Sequence, residues 1–215
     1  MKLLDFIASR WQSLLVDSYQ HVSMVIQCIV LATIVGVLVG VAVYRSPAGA
    51  AIATALSSAI LTVPSFALFG LLIPVLGLGV APSVVTLVLY ALLPIVRNTI
   101  VGLATVDQPI LDAARGIGMS RLGVLTRVEL RMAWPVILAG MRVSTQMLMG
   151  IAAIAAYAKG PGLGNLIFSG LGQLGGANAL NMALAGTVGV IILALLLDAL
   201  FVLFGRLTTS RGIRG

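Results

Sequence analysis

The sequence predicts an all-α polytopic membrane protein with about five transmembrane helices. The 215 residues are 60% hydrophobic and only 9% charged, whereas a soluble domain carries roughly a quarter charged residues. The mean hydropathy is +1.15, and several apolar stretches reach the ~20 residues that a helix needs to cross a bilayer. We expect one membrane domain over residues 23–205, preceded by a separate segment 1–22 and followed by a tail 206–215.

Segment 1–22 has the apolar spacing of a short amphipathic helix lying in the membrane interface. Trp11 and Tyr19 suit that interface, and His21, at the start of the first span, is expected to be interfacial as well. Charged residues before any long apolar run make a cleaved signal peptide a poor interpretation. The repeated apolar positions are Leu3, Leu4, Ile7, Trp11, Leu14 and Leu15.

Five spans can be placed by apolar length and turn signals. Pro64 and Pro94 fall inside the second and third spans and are expected to kink them, since proline removes a backbone hydrogen bond. A turn over Gly77–Pro82 separates these two spans. The spans lie near Ser23–Tyr44, Ala51–Ile73, Ser83–Val101, Val136–Ala158 and Leu180–Phe204.

The positive residues indicate an orientation. An odd number of spans puts the termini on opposite sides, and cytoplasmic segments normally hold the excess of Lys and Arg. With the C-terminus inside, the outer side holds only Lys2, Arg10 and Lys159. The net charge of +7 therefore indicates membrane topology rather than nucleic-acid binding. The arginines then counted as cytoplasmic are Arg45, Arg97, Arg115, Arg121, Arg127, Arg131, Arg142, Arg206, Arg211 and Arg214.

A polar loop over about residues 102–135 interrupts the spans and predicts two short helices. Asp107 is a candidate N-cap for the first helix, which glycines Gly116 and Gly118 end. Ser120 can cap the second helix, Arg121–Leu130. Pro135 stands at the start of the fourth span, where a helix break is expected. The first helix would carry a narrow apolar stripe formed by Leu111, Ala114 and Ile117.

Seven glycines lie in Lys159–Gly176, after the fourth span. This composition is too irregular for a lipid-facing helix. The segment is either a flexible external loop or a re-entrant element near an outer gate, because irregular backbone at membrane depth is tolerated where protein or water covers it. The residues alone leave both readings open.

The chain resembles the permease subunits of bacterial ABC importers, in particular the glycine betaine/carnitine/choline (osmoprotectant) branch. DAARGIGMSRLGVLTRVEL, starting at Asp112, is similar to that branch's cytoplasmic coupling loop, and AAYAKGPGLGNLIFSGL, Ala155–Leu171, is similar to its Gly-rich segment. Two departures exist: Asp112 replaces the usual Glu, and Arg131 replaces the usual proline. The resemblance implies that Asp112, Ala113, Ala114, Arg115 and Gly118 couple to the ATPase and that Gly160, Gly162 and Gly164 belong to a gate segment.

The resemblance also implies the fold of a type I ABC importer permease, located in the cell membrane. The count of Lys and Arg residues puts its N-terminus outside and its C-terminus in the cytoplasm. Its implied partners are an ATP-binding ABC subunit, a second permease copy or paralogue, and an extracytoplasmic substrate-binding protein. ATP would be bound by the partner, so no cofactor, metal or catalytic residue is expected on this chain. Consistent with this, the sequence contains no GxxxxGK[ST] motif. The choice among betaine, carnitine and choline, and between identical and different permeases, stays open.

The alternative is a stand-alone secondary transporter coupled to protons or ions. It rests on Asp198, a carboxylate inside the last span, because an intramembrane acid is a candidate relay. The competing reading places Asp198 at a subunit interface or at the cytoplasmic mouth. An enzyme is a weaker candidate, since His21 and Cys28 are single residues of their kind and lack a nucleophile or metal-ligand context.

Overall fold

The computed structural model describes residues 2–209, within which all regular secondary structure is helical and there is no β-strand. Arg211 and Arg214, which entered the orientation count, lie outside the described residues. The helices are α1 Leu3–Ser9, α2 Trp11–Val43, α3 Pro47–Thr62, α4 Ser65–Leu76, α5 Val80–Ala104, α6 Gln108–Gly116, α7 Arg121–Val124, α8 Leu130–Ile154, α9 Gly164–Gly172 and α10 Ala179–Thr208.

The structure agrees with five predicted spans if one of them is a bent pair of helices. Among the described residues, four helical runs are long and apolar enough to cross a membrane, and a fifth span results if the bent pair α3–α4 counts as one. The four continuous runs are Trp11–Val43, Val80–Ala104, Arg121–Ala158 and Ala179–Thr208. Each begins before its predicted first residue, and two also end beyond their predicted last residue, because hydropathy locates the apolar middle of a helix better than its polar ends.

Residues 1–22 do not form one separate helix. Only α1 stands apart, and the chain turns at Arg10 before α2 begins at Trp11. Nothing between Trp11 and Val35 breaks a helix, so polar residues such as Asp17 lie within the first span's own helix. Phe6 of α1 is buried against Leu166 and Met182, which fixes α1 to α9 and α10.

The second span is not one kinked helix but two separate helices. Helices α3 and α4 meet at 94°, and Val63 between them has the extended backbone that a residue before proline prefers. The Tyr90 hydroxyl of α5 donates to the Val63 carbonyl, which the bend removes from the helical ladder. The predicted turn into the third span is confirmed, with Gly77 and Gly79 both at positive φ.

Helix α5 lies at the centre of the bundle and packs against α2, α3 and α8. The GxxxG pair of α2 makes one of these contacts, because a Cβ on Gly36 would lie 2.7 Å from Ile95 Cγ2 of α5. Gly40 similarly faces Thr99. These small residues therefore bring two helices of the same chain together. Cys28 is fully buried in this core, as expected of a small apolar side chain.

Candidate functional site: the loop between α5 and α8

Helix α6 forms where the sequence predicts the first loop helix. Asp107 has the extended backbone of an N-cap, although its side chain makes no capping hydrogen bond. Gly118 follows the helix at φ +87°, and its N–H donates to the Arg115 carbonyl at 2.9 Å. Nothing surrounds the position of a Cβ on Gly118. Glycine is therefore required here for its backbone conformation and leaves the turn open to solvent.

One face of α6 anchors it, and the other is exposed. Leu111 and Ala114 are buried in a small cluster with Val106 and Val124, so the predicted stripe is correct for these two residues. Ile117 is 81% exposed, and its inclusion in the buried stripe was wrong because it caps the helix where the chain turns away. The exposed face carries Asp112, Ala113 and Arg115, with an Asp112–Arg115 ion pair of 3.0 Å. Ala114 supports this face from beneath.

The second loop helix is not separate from the fourth span. Ser120 caps α7 as predicted, accepting a hydrogen bond from the Gly123 N–H. A π-helical turn, Leu125–Glu129, then leads directly into α8. The helix continues through both Arg131 and Pro135, so the helix break that was expected at Pro135 is absent. The irregularity lies one turn earlier instead, and such π-turns occur frequently at functional sites.

The π-turn buries a carboxylate. Glu129 is only 2% exposed, and it accepts hydrogen bonds from the Tyr44 hydroxyl at 2.8 Å and from Arg45 Nη2 at 3.3 Å. Burial, followed by the hydrogen bond to Glu129, raises the pKa of the Tyr44 phenol. The sequence placed Glu129 only within the loop DAARGIGMSRLGVLTRVEL and Arg45 only among the arginines counted as cytoplasmic. These hydrogen bonds join the C-terminal end of α2 to the π-turn.

A cleft of about 420 Å³ lies between this cluster and α6. Arg115 and Gln108 of α6 line one side, and Tyr44, Arg45 and Glu129 line the other. A displacement of α6 would therefore change the surroundings of the buried carboxylate. Tyr44, Arg45 and Glu129 join the first span to the fourth span at the end of the bundle where α6 lies.

The Gly-rich segment lies at the opposite end of α8. It is packed tightly, which argues against the flexible-loop reading for residues 159–166. A Cβ on Gly160 would approach Ser83 of α5, one on Gly162 would approach His21 of α2, and one on Gly164 would overlap the Ala153 carbonyl of α8. Each of the three predicted glycines thus permits a contact with a different span.

His21 is not interfacial, because it is fully buried beneath Gly162. Its Nε2 lies 3.1 Å from the Met149 carbonyl. The imidazole therefore packs between α2, α8 and the Gly-rich segment. Met149 itself is 1% exposed and belongs to the core.

Asp198 is paired with a cation. Its two carboxylate oxygens each accept a hydrogen bond of 2.6 Å from Arg142, from Nε and from Nη2. Arg142 was counted as cytoplasmic, and this was wrong because it is at the middle of α8. The sequence could not join the two residues, since 56 positions separate them.

Residues 32–210 match the model of the family described as "Binding-protein-dependent transport system inner membrane component". The chain belongs to that family. It is 35% identical to the choline transport system permease protein OpuBB of Bacillus subtilis over 99% of this chain and 96% of the relative. It is 39% identical to the osmoprotectant import permease protein OsmW of Salmonella typhimurium over 92% of both chains.

A solved structure, of the MetNI methionine ABC transporter in an inward-facing conformation, shares the fold. The TM-score is 0.76 at 23% identity, covering 92% of this chain and 96% of the other. The polytopic fold and the resemblance to osmoprotectant permeases are thus confirmed. None of these comparisons supports the alternative of a stand-alone secondary transporter.

Proposed function

We propose that this permease forms the membrane pathway of an ATP-driven importer of osmoprotectants, with glycine betaine, carnitine and choline as candidate substrates. The observation that carries the proposal is helix α6, an exposed helix anchored by Leu111 and Ala114, on a chain related along its whole length to osmoprotectant permeases. Energy comes from ATP bound by a separate subunit, and an extracytoplasmic binding protein delivers the substrate.

The exposed face of α6 docks into a groove of the ATPase. Asp112 and Arg115 supply charged contacts at its rim, and Ala113 is small enough for close approach. Asp112 keeps the charge of the glutamate common in the family, with a shorter side chain. The turn at Gly118 leaves the end of α6 free of bulk.

Movement of α6 is transmitted through the Glu129 cluster. Because α6 and the cluster line the same cleft, closure of the ATPase displaces the carboxylate that holds Tyr44 and Arg45. The pull reaches α2 and α8 together. Alternating access then follows from two arrangements of the spans, whose balance the ATPase shifts.

The α6 end of the bundle faces the cytoplasm, with the N-terminus outside. The Gly-rich segment, at the other end of α8, then lies on the side of the binding protein. Gly160, Gly162 and Gly164 hold it against three spans, so it moves with them and acts as the outer gate.

Co-purification with the ATPase and substrate uptake test the proposal. We expect Ala113→Trp to abolish ATPase association, because indole on the exposed face blocks docking without straining the backbone. Gln173→Trp is the matched control, since Gln173 is exposed at the opposite end of the bundle and its variant should retain association. Normal association of Ala113→Trp, or absence of uptake by the assembled wild type, would contradict the proposal.

A further inference from the structure

The Arg142–Asp198 pair of α8 and α10 is held by a third group. The Gln146 amide donates to Asp198 Oδ1 at 3.1 Å and to the Ala194 carbonyl at 3.2 Å. Arg142 supplies both bonds of a bidentate pair, each 2.6 Å long. Asp198 therefore keeps one donor when Arg142 is engaged elsewhere.

The pair lies deep in the spans. Arg142 is the central residue of α8, with ~18 Å of helix on either side. Asp198 lies ~15 Å from the C-terminal end of α10, a helix of ~45 Å that is longer than the ~30 Å hydrocarbon layer, so Asp198 is inside the span in its C-terminal half. Both charges are therefore at the depth where ionic groups face protein or water rather than lipid.

Nothing else in the described chain covers the pair. The side chains of Arg142 and Asp198 remain 45% and 29% exposed. On α8 the exposure continues through Ala139, Val143 and Gly150, which form a strip of small residues along one side of the helix. A strip of small residues beside an exposed ion pair suits a wall of an aqueous passage.

The other side of the α8–α10 contact is different. There a groove next to α2 is lined almost entirely by apolar side chains, among them Met141, Leu197 and Phe204. Met141 and Leu197, which line the groove, directly precede Arg142 and Asp198 in the sequence. Consecutive residues are about 100° apart around a helix, so Arg142 and Asp198 point out of the groove. The apolar groove is the side that suits lipid.

We propose that Arg142 and Asp198 line the substrate pathway and form an intramembrane subsite for zwitterionic ammonium carboxylates. The assignment rests on the proposed function. A passing zwitterion exchanges partners with the pair, its carboxylate going to Arg142 and its ammonium to Asp198. No charge is left unpaired at any stage, which avoids the penalty of an isolated ion in a poorly solvated site. Gln146 keeps Asp198 in place during the exchange.

Accessibility of Val143 tests the location. In a Cys28→Ala background, the Val143→Cys variant should react with a water-soluble cationic methanethiosulfonate, and saturating glycine betaine should slow this reaction during turnover. Leu196→Cys is the matched control, because Val143 and Leu196 are both 56% exposed, and Leu196 lies about 200° around α10 from Asp198. It should react only with a membrane-permeant maleimide.

Uptake by pair variants tests the substrate class. Arg142→Gln should reduce glycine betaine uptake at limiting concentration by about tenfold or more, and choline uptake by less than about threefold, because choline has no carboxylate for Arg142. ATPase association, measured by co-purification, should be normal. An equal loss for both substrates would indicate a helix clamp and overturn the subsite.

Three further outcomes separate the hypotheses. Failure of Val143→Cys to react with the water-soluble reagent would overturn the pathway location. A disulfide between two copies of that variant, formed without any reaction with the water-soluble reagent, would overturn it as well, since it would place the strip in a dry contact between the copies. Lack of uptake of every candidate substrate by the assembled wild type would instead refute the proposed function and the zwitterion assignment, while the labelling still decides whether the pair faces water.

Discussion

The Tyr44 hydroxyl donates a 2.8 Å hydrogen bond to Glu129, a residue 85 positions away. The bond joins the end of α2 to a π-turn that no apolar pattern marks. Glu129 is almost fully buried, whereas the side chain of its other partner, Arg45, is 54% exposed. Tyr44 is therefore the less solvent-screened of the two contacts that stabilise this carboxylate.

Replacing Tyr44 with Phe should destabilise the protein. Loss of a hydrogen bond to a buried carboxylate costs about 1.5–3 kcal/mol, and each kcal/mol corresponds to roughly 2–4 °C in a chain of this size. The thermal midpoint of the purified protein in detergent measures the change. Tyr19→Phe provides the control, because Tyr19 is 75% exposed. Equal midpoints for the two variants would show that the bond contributes nothing.

The same phenol should make stability fall in alkaline solution. Burial and Glu129 raise the pKa of Tyr44 above its ordinary value of 10.0. Below pH 10 the phenol is protonated in both the folded and the unfolded states, and its hydrogen bond contributes fully to the stability of the fold. Above it the unfolded phenol ionises first, so stability is lost until the folded pKa is passed. The thermal midpoint of wild type should fall more steeply above about pH 10 than that of Tyr44→Phe. Parallel pH profiles would contradict the coupling.

Two glycines at the end of α6 should respond oppositely to alanine. Gly118 has φ +87°, so its alanine variant is strained, whereas Gly116 is helical and open on its outer side. We expect Gly118→Ala to destabilise the end of α6 by about 1 kcal/mol and Gly116→Ala to stabilise it by about 0.5–1 kcal/mol. Hydrogen–deuterium exchange of peptides over 105–120 measures both. Exchange that changes in the same direction in both variants would refute the backbone argument.

Local chemistry explains what could be predicted. Asp107 has the extended backbone of an N-cap, Gly118 ends α6 at a positive φ, and Ser120 caps α7 with its side chain. These local preferences placed α6 and the start of α7 correctly from the sequence. Pro64 marked a disturbance in the second span. Its 94° bend also depends on a hydrogen bond from Tyr90, which lies 27 positions away.

Features that depend on contacts between distant spans could not be predicted from the sequence. The burial of His21 depends on the close approach of Gly162, and the pairing of Asp198 depends on the rotation of α8 about its axis. Periodicity places a residue on a helix but does not say which neighbour its side chain meets. The continuity of α8 through Pro135 was missed for a related reason, because the π-turn before it absorbs the irregularity.

Packing of the Gly-rich segment provides the last prediction. Gly164 approaches the Ala153 carbonyl so closely that a Cβ would overlap it, and a backbone atom within a span cannot easily move away. Gly164→Ala should therefore destabilise the protein by about 1–3 kcal/mol through overpacking. Gly172→Ala, at the other end of α9 with nothing near its Cβ position, should change stability by less than about 1 kcal/mol. Thermal unfolding in detergent compares the two, and accelerated proteolysis over 159–172 should appear in the Gly164 variant alone. If Gly164→Ala unfolds at the wild-type temperature, the segment is looser than this contact implies, and a gate that moves together with the spans would lose its physical basis.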